Sequence, residues 1–221
     1  MMMTHRWKYV VVILLLLSVG SLKAQELSRF EAEVDNLIKG DSAISKKKII
    51  LFTGSSSIRV WTSLKTDFPK YNVLNRGFGG SEMADLVNLV DKLIVPYHPK
   101  QIFIYEGDND IGVGKSPEEI LTQADKLLLL IREKLPKKTQ VLFISPKPSL
   151  LRWHLKDKYL DYNNKLEAWT KQYKNVRFID VWTPMLDADG NVMKDLFVGD
   201  GLHMNTKGYE IWAKVIGRYL K

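Results

Sequence analysis

The 221-residue sequence predicts an α/β fold, a three-layer α/β/α sandwich built on a five-stranded parallel sheet. Two observations carry that prediction. Short apolar runs alternate five times with longer amphipathic stretches, the pattern of strands joined by helical crossovers. Each run also empties into a turn rich in Gly, Ser, Asp, Asn or Pro, and in an open parallel sheet those exits line the edge where ligands collect.

The first residues read as a targeting segment. Arg6 and Lys8 precede the apolar run Tyr9 to Leu17, and small residues lead to Ala24 and Gln25. A basic start, a short apolar stretch and a small residue before the break fit a secretory signal peptide over residues 1–24, cleaved near Ala24. The run is well short of the roughly 20 residues that span a bilayer, so the mature chain is expected to be exported (periplasmic or secreted) without stable membrane insertion. A retained N-terminal anchor is the alternative. Residues 25–221 are expected to form a single domain.

Composition narrows the chemistry. No Cys is present, which excludes disulfides, thiol catalysis, Cys-based zinc sites and a lipid-modified Cys behind the signal. Loss of Arg6, Lys8 and Lys23 with the signal leaves 30 Lys and Arg against 25 Asp and Glu, lowering the net charge from +8 to +5. That excess is scattered as Lys rather than gathered into a block with aromatics, so a nucleic-acid partner is not expected.

Taken in order, Glu26 to Lys39 spaces Leu27, Phe30, Val34, Leu37 and Ile38 as an amphipathic helix beneath the sheet. Lys48 to Thr53 is the first strand, and Gly54-Ser55-Ser56-Ser57 its exit. Those serines admit three readings: a helix cap, an anion-binding turn, or a nucleophile beside its own backbone donors. Tyr71 to Asn75 is the second strand, leaving through Arg76-Gly77-Phe78-Gly79-Gly80-Ser81. Ser81 then starts a helix whose buried side is Met83, Leu86, Val87, Leu89, Val90 and Leu93, stopped by Pro96 and Pro99.

Gln101 to Glu106 is the third strand, ending in Gly107-Asp108-Asn109-Asp110. Ser116-Pro117-Glu118-Glu119 opens a long helix to about Leu135, with a Ser cap, Pro at the first helical position and acids in the first turn. Gln140 to Ser145 is the fourth strand. Its exit, Pro146 to His154, is long and broken by two prolines, as loops bordering substrate sites often are. Arg152 and Trp153 on that loop are read as substrate-binding residues, and Trp61, Trp153 and Trp182 as walls for a sugar or an alkyl chain. Trp169 and Trp212 are assigned to helix packing. Lys156 to Tyr173 is a helix and Val176 to Asp180 the fifth strand. Asp187 to Asn191 imitates the start of a calcium loop but lacks the closing Glu, and reads as a surface turn. Asp200-Gly201-Leu202-His203 precedes the last helix, Thr206 to Tyr219.

Placed on one rim, these exits supply a hydroxyl, backbone and amide donors, an imidazole and a carboxylate, the parts that ester or amide hydrolysis requires. In their order and spacing, Gly54-Ser55-Ser56, Gly79-Gly80, Gly107-Asp108-Asn109-Asp110 and Asp200-Gly201-Leu202-His203 resemble the four blocks of the SGNH hydrolases, also called GDSL-type lipases and esterases. The resemblance runs from about residue 48 to the C-terminus. It is nearest to the branch of platelet-activating-factor acetylhydrolase subunits and similar bacterial esterases. One departure stands out: Ser55 occupies the place of the usual Asp in the first block.

The resemblance implies a flavodoxin-like fold and an exported serine esterase acting on small acyl esters, acetyl esters of carbohydrate or lipid foremost. It implies Ser56 as nucleophile (Ser55 and Ser57 the fallbacks), His203 as base and then acid, and Asp200 orienting His203. The oxyanion hole it implies comprises the backbone N–H groups of Ser56 and Gly80 and the side-chain amide of Asn109, with no metal and no cofactor. Two rivals stand beside it. One is a non-catalytic anion- or carbohydrate-binding domain; the other is a metal hydrolase using Asp108, Asp110 and His203.

Overall fold

The computed structural model describes residues 30–221, so the signal-peptide prediction for residues 1–24 lies outside the described residues. Residues 30–38 form helix α1, with Phe30 and Val34 as buried positions. They belong to a unit ending at Lys39; Gly40–Lys221 forms the other, and everything below concerns that second unit.

Its sheet contains β1 (Ile50–Gly54), β2 (Val73–Gly77), β3 (Gln101–Tyr105), β4 (Gln140–Ile144) and β5 (Val176–Ile179). All pair in parallel, in the order β2-β1-β3-β4-β5. Every residue of β1 and β3 is buried, which is why these strands read as unbroken apolar runs rather than as alternations. Successive side chains still face opposite ways. Ile50, Phe52, Phe103, Tyr105, Leu142 and Ile144 share one core with Ile58, Trp61, Leu64, Phe68, Trp212 and Ile216. That core is closed by α2 (Ser56–Arg59), α3 (Leu64–Asp67) and α8 (Thr206–Ile216). The intervening strand residues face the other way, toward α4 (Met83–Leu93), α6 (Pro117–Lys134) and α7 (Lys156–Thr170), which pack side by side in sequence.

The chain steps outward from β1 to β2 and then returns to the far side of β1 for β3. The reversal opens a crevice at the carboxyl ends of β1 and β3. Register brings three exits level there, because Gly54 pairs with both Gly77 and Tyr105.

Several elements differ from their predicted form. The first strand begins at Ile50 rather than Lys48, because Lys48 sits in the left-handed region at φ 53°. The second extends through Arg76 and Gly77, which pair with Thr53 and Gly54; Arg76 is bound by the Asp41 carboxylate and donates from Nε to the Tyr97 hydroxyl at 2.8 Å. Ser81 does not cap α4. Glu82 does, in a capping box with Asp85, while the Ser81 hydroxyl donates to Glu106. The Ser116 box forms as predicted. The Asp187 carboxylate accepts from the N–H groups of Asp189 and Asn191, closing the surface turn read there. Trp61 is corrected outright. It is 1% exposed and packs among Phe52, Phe68, Tyr209 and Trp212, so it forms no wall. Trp169 and Trp212 are buried, and Trp182 is too. Among the described residues no helix is long and apolar enough to cross a membrane.

Candidate active site

The turn after β1 depends on Gly54. Its φ is +116°, and a Cβ there would lie 2.1 Å from the Tyr105 carbonyl oxygen, so no other residue lets the Ser55 N–H reach that oxygen at 3.0 Å. The three serines that follow meet different surroundings. Ser55 and Ser57 are buried, whereas Ser56 is half-buried as the first residue of α2. A first-turn N–H has no partner within its own helix, so the Ser56 backbone keeps a donor for a ligand. Ser55 forms no side-chain cap; its Oγ accepts instead from Asn109 Nδ2 at 2.7 Å. The Ser57 carbonyl accepts from the Tyr209 hydroxyl at 2.8 Å, tying the turn to α8.

Opposite stands the loop before α8. Asp200 Oδ1 accepts from the N–H groups of Leu202 (2.8 Å) and His203 (2.9 Å), and Oδ2 lies 2.6 Å from His203 Nδ1. Because a carboxylate only accepts, the ring proton belongs on Nδ1, leaving Nε2 to accept the Ser56 hydroxyl at 2.9 Å. Some burial pushes the Asp200 carboxyl up, but the imidazole and the two N–H groups outweigh it and hold it at about 2. It therefore stays an anion behind the ring at any ordinary pH.

The turn after β3 carries the third part. Asn109 Nδ2 donates to Ser55 Oγ and, at 2.9 Å, to the Ser81 carbonyl, which puts its amide one residue from Ser56. Its Oδ1 accepts from Arg152 Nη2 at 3.0 Å. Beneath it, Asp108 accepts from Tyr105 (2.7 Å), Tyr159 (2.5 Å), Arg152 Nη1 (2.7 Å) and Lys147 Nζ (3.4 Å). Burial alone would raise the Asp108 carboxyl; Lys147, Arg152 and the two hydroxyls reverse that and hold it well below the usual carboxylate range. Neighbouring Asp110 behaves oppositely. Burial raises it to about 6, against the pull of the Met83 N–H and Lys115. Glu106 is raised well above its ordinary value by burial, then by Asp110, and supports the Gly79–Ser81 turn through its bond from Ser81. In that turn Gly80 is exposed at φ 65°.

The structure thus joins Ser56, His203 and Asp200 in one hydrogen-bonded chain, sets Asn109 beside it and Gly80 on the same sheet edge. Arg152 is engaged with Asp108 and Asn109 rather than open to the crevice. Trp153 is half-buried, stacked on Trp182 at 5.9 Å with Lys156 over its ring. Among the described residues no three His, Asp or Glu side chains gather to hold a metal ion. Sequence reasoning missed Lys147, Tyr105 and Tyr159. Their one signal was that each falls at a strand exit or on the helix facing it.

Residues 40–211 match the model of the GDSL-like lipase/acylhydrolase family. The chain belongs to that family. No curated protein sequence matches this acylhydrolase-family chain significantly. A Streptococcus pneumonia structure provisionally named a platelet activating factor aligns over 96% of this chain and 99% of its own, with 22% identity and TM-score 0.77. A GDSL-like lipase from Bacteroides thetaiotaomicron aligns over 88% and 96%, with 19% identity and TM-score 0.70. An acetylxylan esterase from Geobacillus stearothermophilus aligns over 80% and 95%, with 15% identity and TM-score 0.63. At these identities the likeness establishes the shared fold, and the family supports hydrolysis of esters.

Proposed function

We infer that this acylhydrolase is a serine esterase acting on small acyl esters, acetyl esters of carbohydrate or lipid foremost, through an acyl-enzyme on Ser56. The observation that carries the reading is the path of hydrogen bonds from Asp200 through His203 to the Ser56 hydroxyl. A Ser hydroxyl is a weak nucleophile until a base takes its proton. His203 Nε2 accepts that proton as Oγ attacks the ester carbonyl carbon, and Asp200 steadies the imidazolium. The carbonyl oxygen becomes an oxyanion, bound by the N–H groups of Ser56 and Gly80 and by the Asn109 amide, which turns to it the N–H given to Ser55 Oγ at rest. His203 then protonates the leaving alcohol. Water repeats the sequence on the acyl-enzyme, releasing the acid and restoring Ser56.

Apolar side chains border this centre. Leu150, Leu151 and Val198 are exposed, and their loops are stitched to the His203 loop by the bonds Leu151 N–H to Gly201 O (3.0 Å) and Val198 N–H to His203 O (2.9 Å). Such a rim suits an alkyl chain or the apolar face of a sugar. The acetylxylan esterase among the structural neighbours makes an acetylated glycan a natural first substrate to try. The N-terminal pattern adds export after loss of residues 1–24 to the proposal.

A fluorophosphonate probe tests the chemistry. Wild-type protein should be labelled at Ser56, while Ser56→Ala should escape labelling and lose several orders of magnitude in turnover of p-nitrophenyl acetate. Absence of labelling in the wild type would mean a binding domain on the same fold.

A further inference from the structure

A primary amide can bind an oxyanion only if its nitrogen, not its oxygen, faces the site. The terminal torsion of Asn is soft and roughly two-fold, so nothing within the side chain itself chooses between the two faces. In this chain the choice is made from outside. The Asn109 oxygen accepts from Arg152 Nη2, and its nitrogen faces the Ser55 hydroxyl and the Ser81 carbonyl. The Ser81 carbonyl cannot donate and Arg152 cannot accept, so a flipped amide would set like against like at both ends.

Arg152 is itself held in a built seat. Nη1 donates to the Asp108 carboxylate at 2.7 Å and to the Asp108 carbonyl at 2.9 Å. The guanidinium lies over Gly112, where a Cβ would come within 2.8 Å of Cζ, so the helix leaves room for it by omitting a side chain. Asp108 is anchored in turn by Tyr105, Tyr159 and Lys147, none of which reaches Asn109 by any hydrogen bond among the described residues. Arg152 is therefore the link through which the buried cluster acts on the amide.

We propose that Arg152, seated on Asp108, is a positioning residue of the esterase: it keeps the Asn109 nitrogen on the Ser55–Ser56 side, where the N–H given to Ser55 Oγ at rest turns to the developing oxyanion, and it polarises that N–H by binding the far end of the same group. It does not touch the substrate. The inference rests on the esterase reading, and it replaces substrate contact as the role of Arg152. A charge-assisted bond to the amide oxygen strengthens donation from the nitrogen, so both orientation and donor strength pass through one contact.

The test is a kinetic cycle on p-nitrophenyl acetate with Arg152→Ala, Asn109→Ala and the double variant, with circular dichroism and thermal melting as folding controls. Arg152→Ala should lower kcat by about 10- to 10²-fold with KM within about twofold, since one oxyanion donor is worth about 10²- to 10³-fold in kcat. The double variant should be no slower than Asn109→Ala alone, because a residue acting through Asn109 has nothing left to act on. Arg152→Lys keeps a cation against Asp108 without the forked geometry and should also lose kcat, which covers the case in which the Ala variant does not fold. An unchanged kcat, a loss confined to KM, or losses that multiply in the double variant each overturn the inference. If Ser56→Ala is inactive while the Arg152 variants are not, the inference alone fails; if Ser56→Ala keeps its turnover, the esterase reading fails and the inference with it.

Discussion

Ser55 and Ser56 are neighbours with the same side chain and different work. Ser56 opens α2 half-exposed within reach of His203, whereas Ser55 is 2% exposed and turned toward Asn109. The family's first block usually carries Asp where Ser55 stands, so a neutral hydroxyl here takes the place of a carboxylate beside the amide nitrogen. Losing it removes one acceptor from Asn109 but leaves the Ser81 carbonyl and the Arg152 bond in place. Ser55→Ala should therefore lower kcat by less than about 10-fold while Ser56→Ala loses orders of magnitude. Equal losses at the two positions, measured on one ester, would contradict this division. Which of three identical residues in a row meets the imidazole could not be read from the sequence; block register pointed to Ser56, and the position of His203 singles it out geometrically.

At the scale of an element, α5 (Asp108–Gly112) sets two aspartates two residues apart, on opposite sides of the turn, under opposite fields. Asp108 is surrounded by donors and held low; it favours the fold above the ordinary carboxylate range and loses that contribution as pH falls. Asp110, raised to about 6 from 3.8, behaves in reverse. Its folded form binds the proton more tightly than the unfolded chain, so its contribution is complete below about pH 4 and is lost as pH rises toward 6, by about 3 kcal/mol at most. Asp110→Asn removes that titration. The difference in melting temperature between variant and wild type should grow in the variant's favour from pH 4 to pH 7, and a difference that stays constant would count against a raised Asp110. The Gly-Asp-Asn-Asp string was legible as a site block, but its residues could not be told apart. What separates them is the partners that α7, the β4 exit and the α4 start bring to each.

At the scale of the whole molecule, the site depends on a core built largely from aromatic rings beneath β1 and β3. Trp212 is fully buried against Trp61 (5.8 Å), Tyr105 (5.0 Å) and Tyr209 (6.1 Å), and Tyr209 in turn holds the Ser57 carbonyl. Trp212→Ala should cost about 3–5 kcal/mol, read as a lowered urea midpoint, because a rigid aromatic cluster closes poorly over so large a void. A midpoint shift worth less than about 1 kcal/mol would mean that α8 is held chiefly by other contacts.

By itself the sequence determined the alternation of strands and helices, the parallel sheet, and the string of exits after β1, β2, β3 and before α8, because periodicity, turn residues and spacing are local properties. It misread Trp61 and Trp182 as walls, and left the partners of Arg152 unread, for one reason. A Trp or an Arg in a loop looks the same whether it faces solvent or is captured by residues far along the chain. Only the tertiary structure decided that Trp61 is core, that Arg152 binds Asp108 and Asn109, and that Ser56 rather than Ser55 meets His203. Those outcomes depend on contacts between segments about 40 to 150 positions apart, 147 in the case of Ser56 and His203, and no local pattern encodes them.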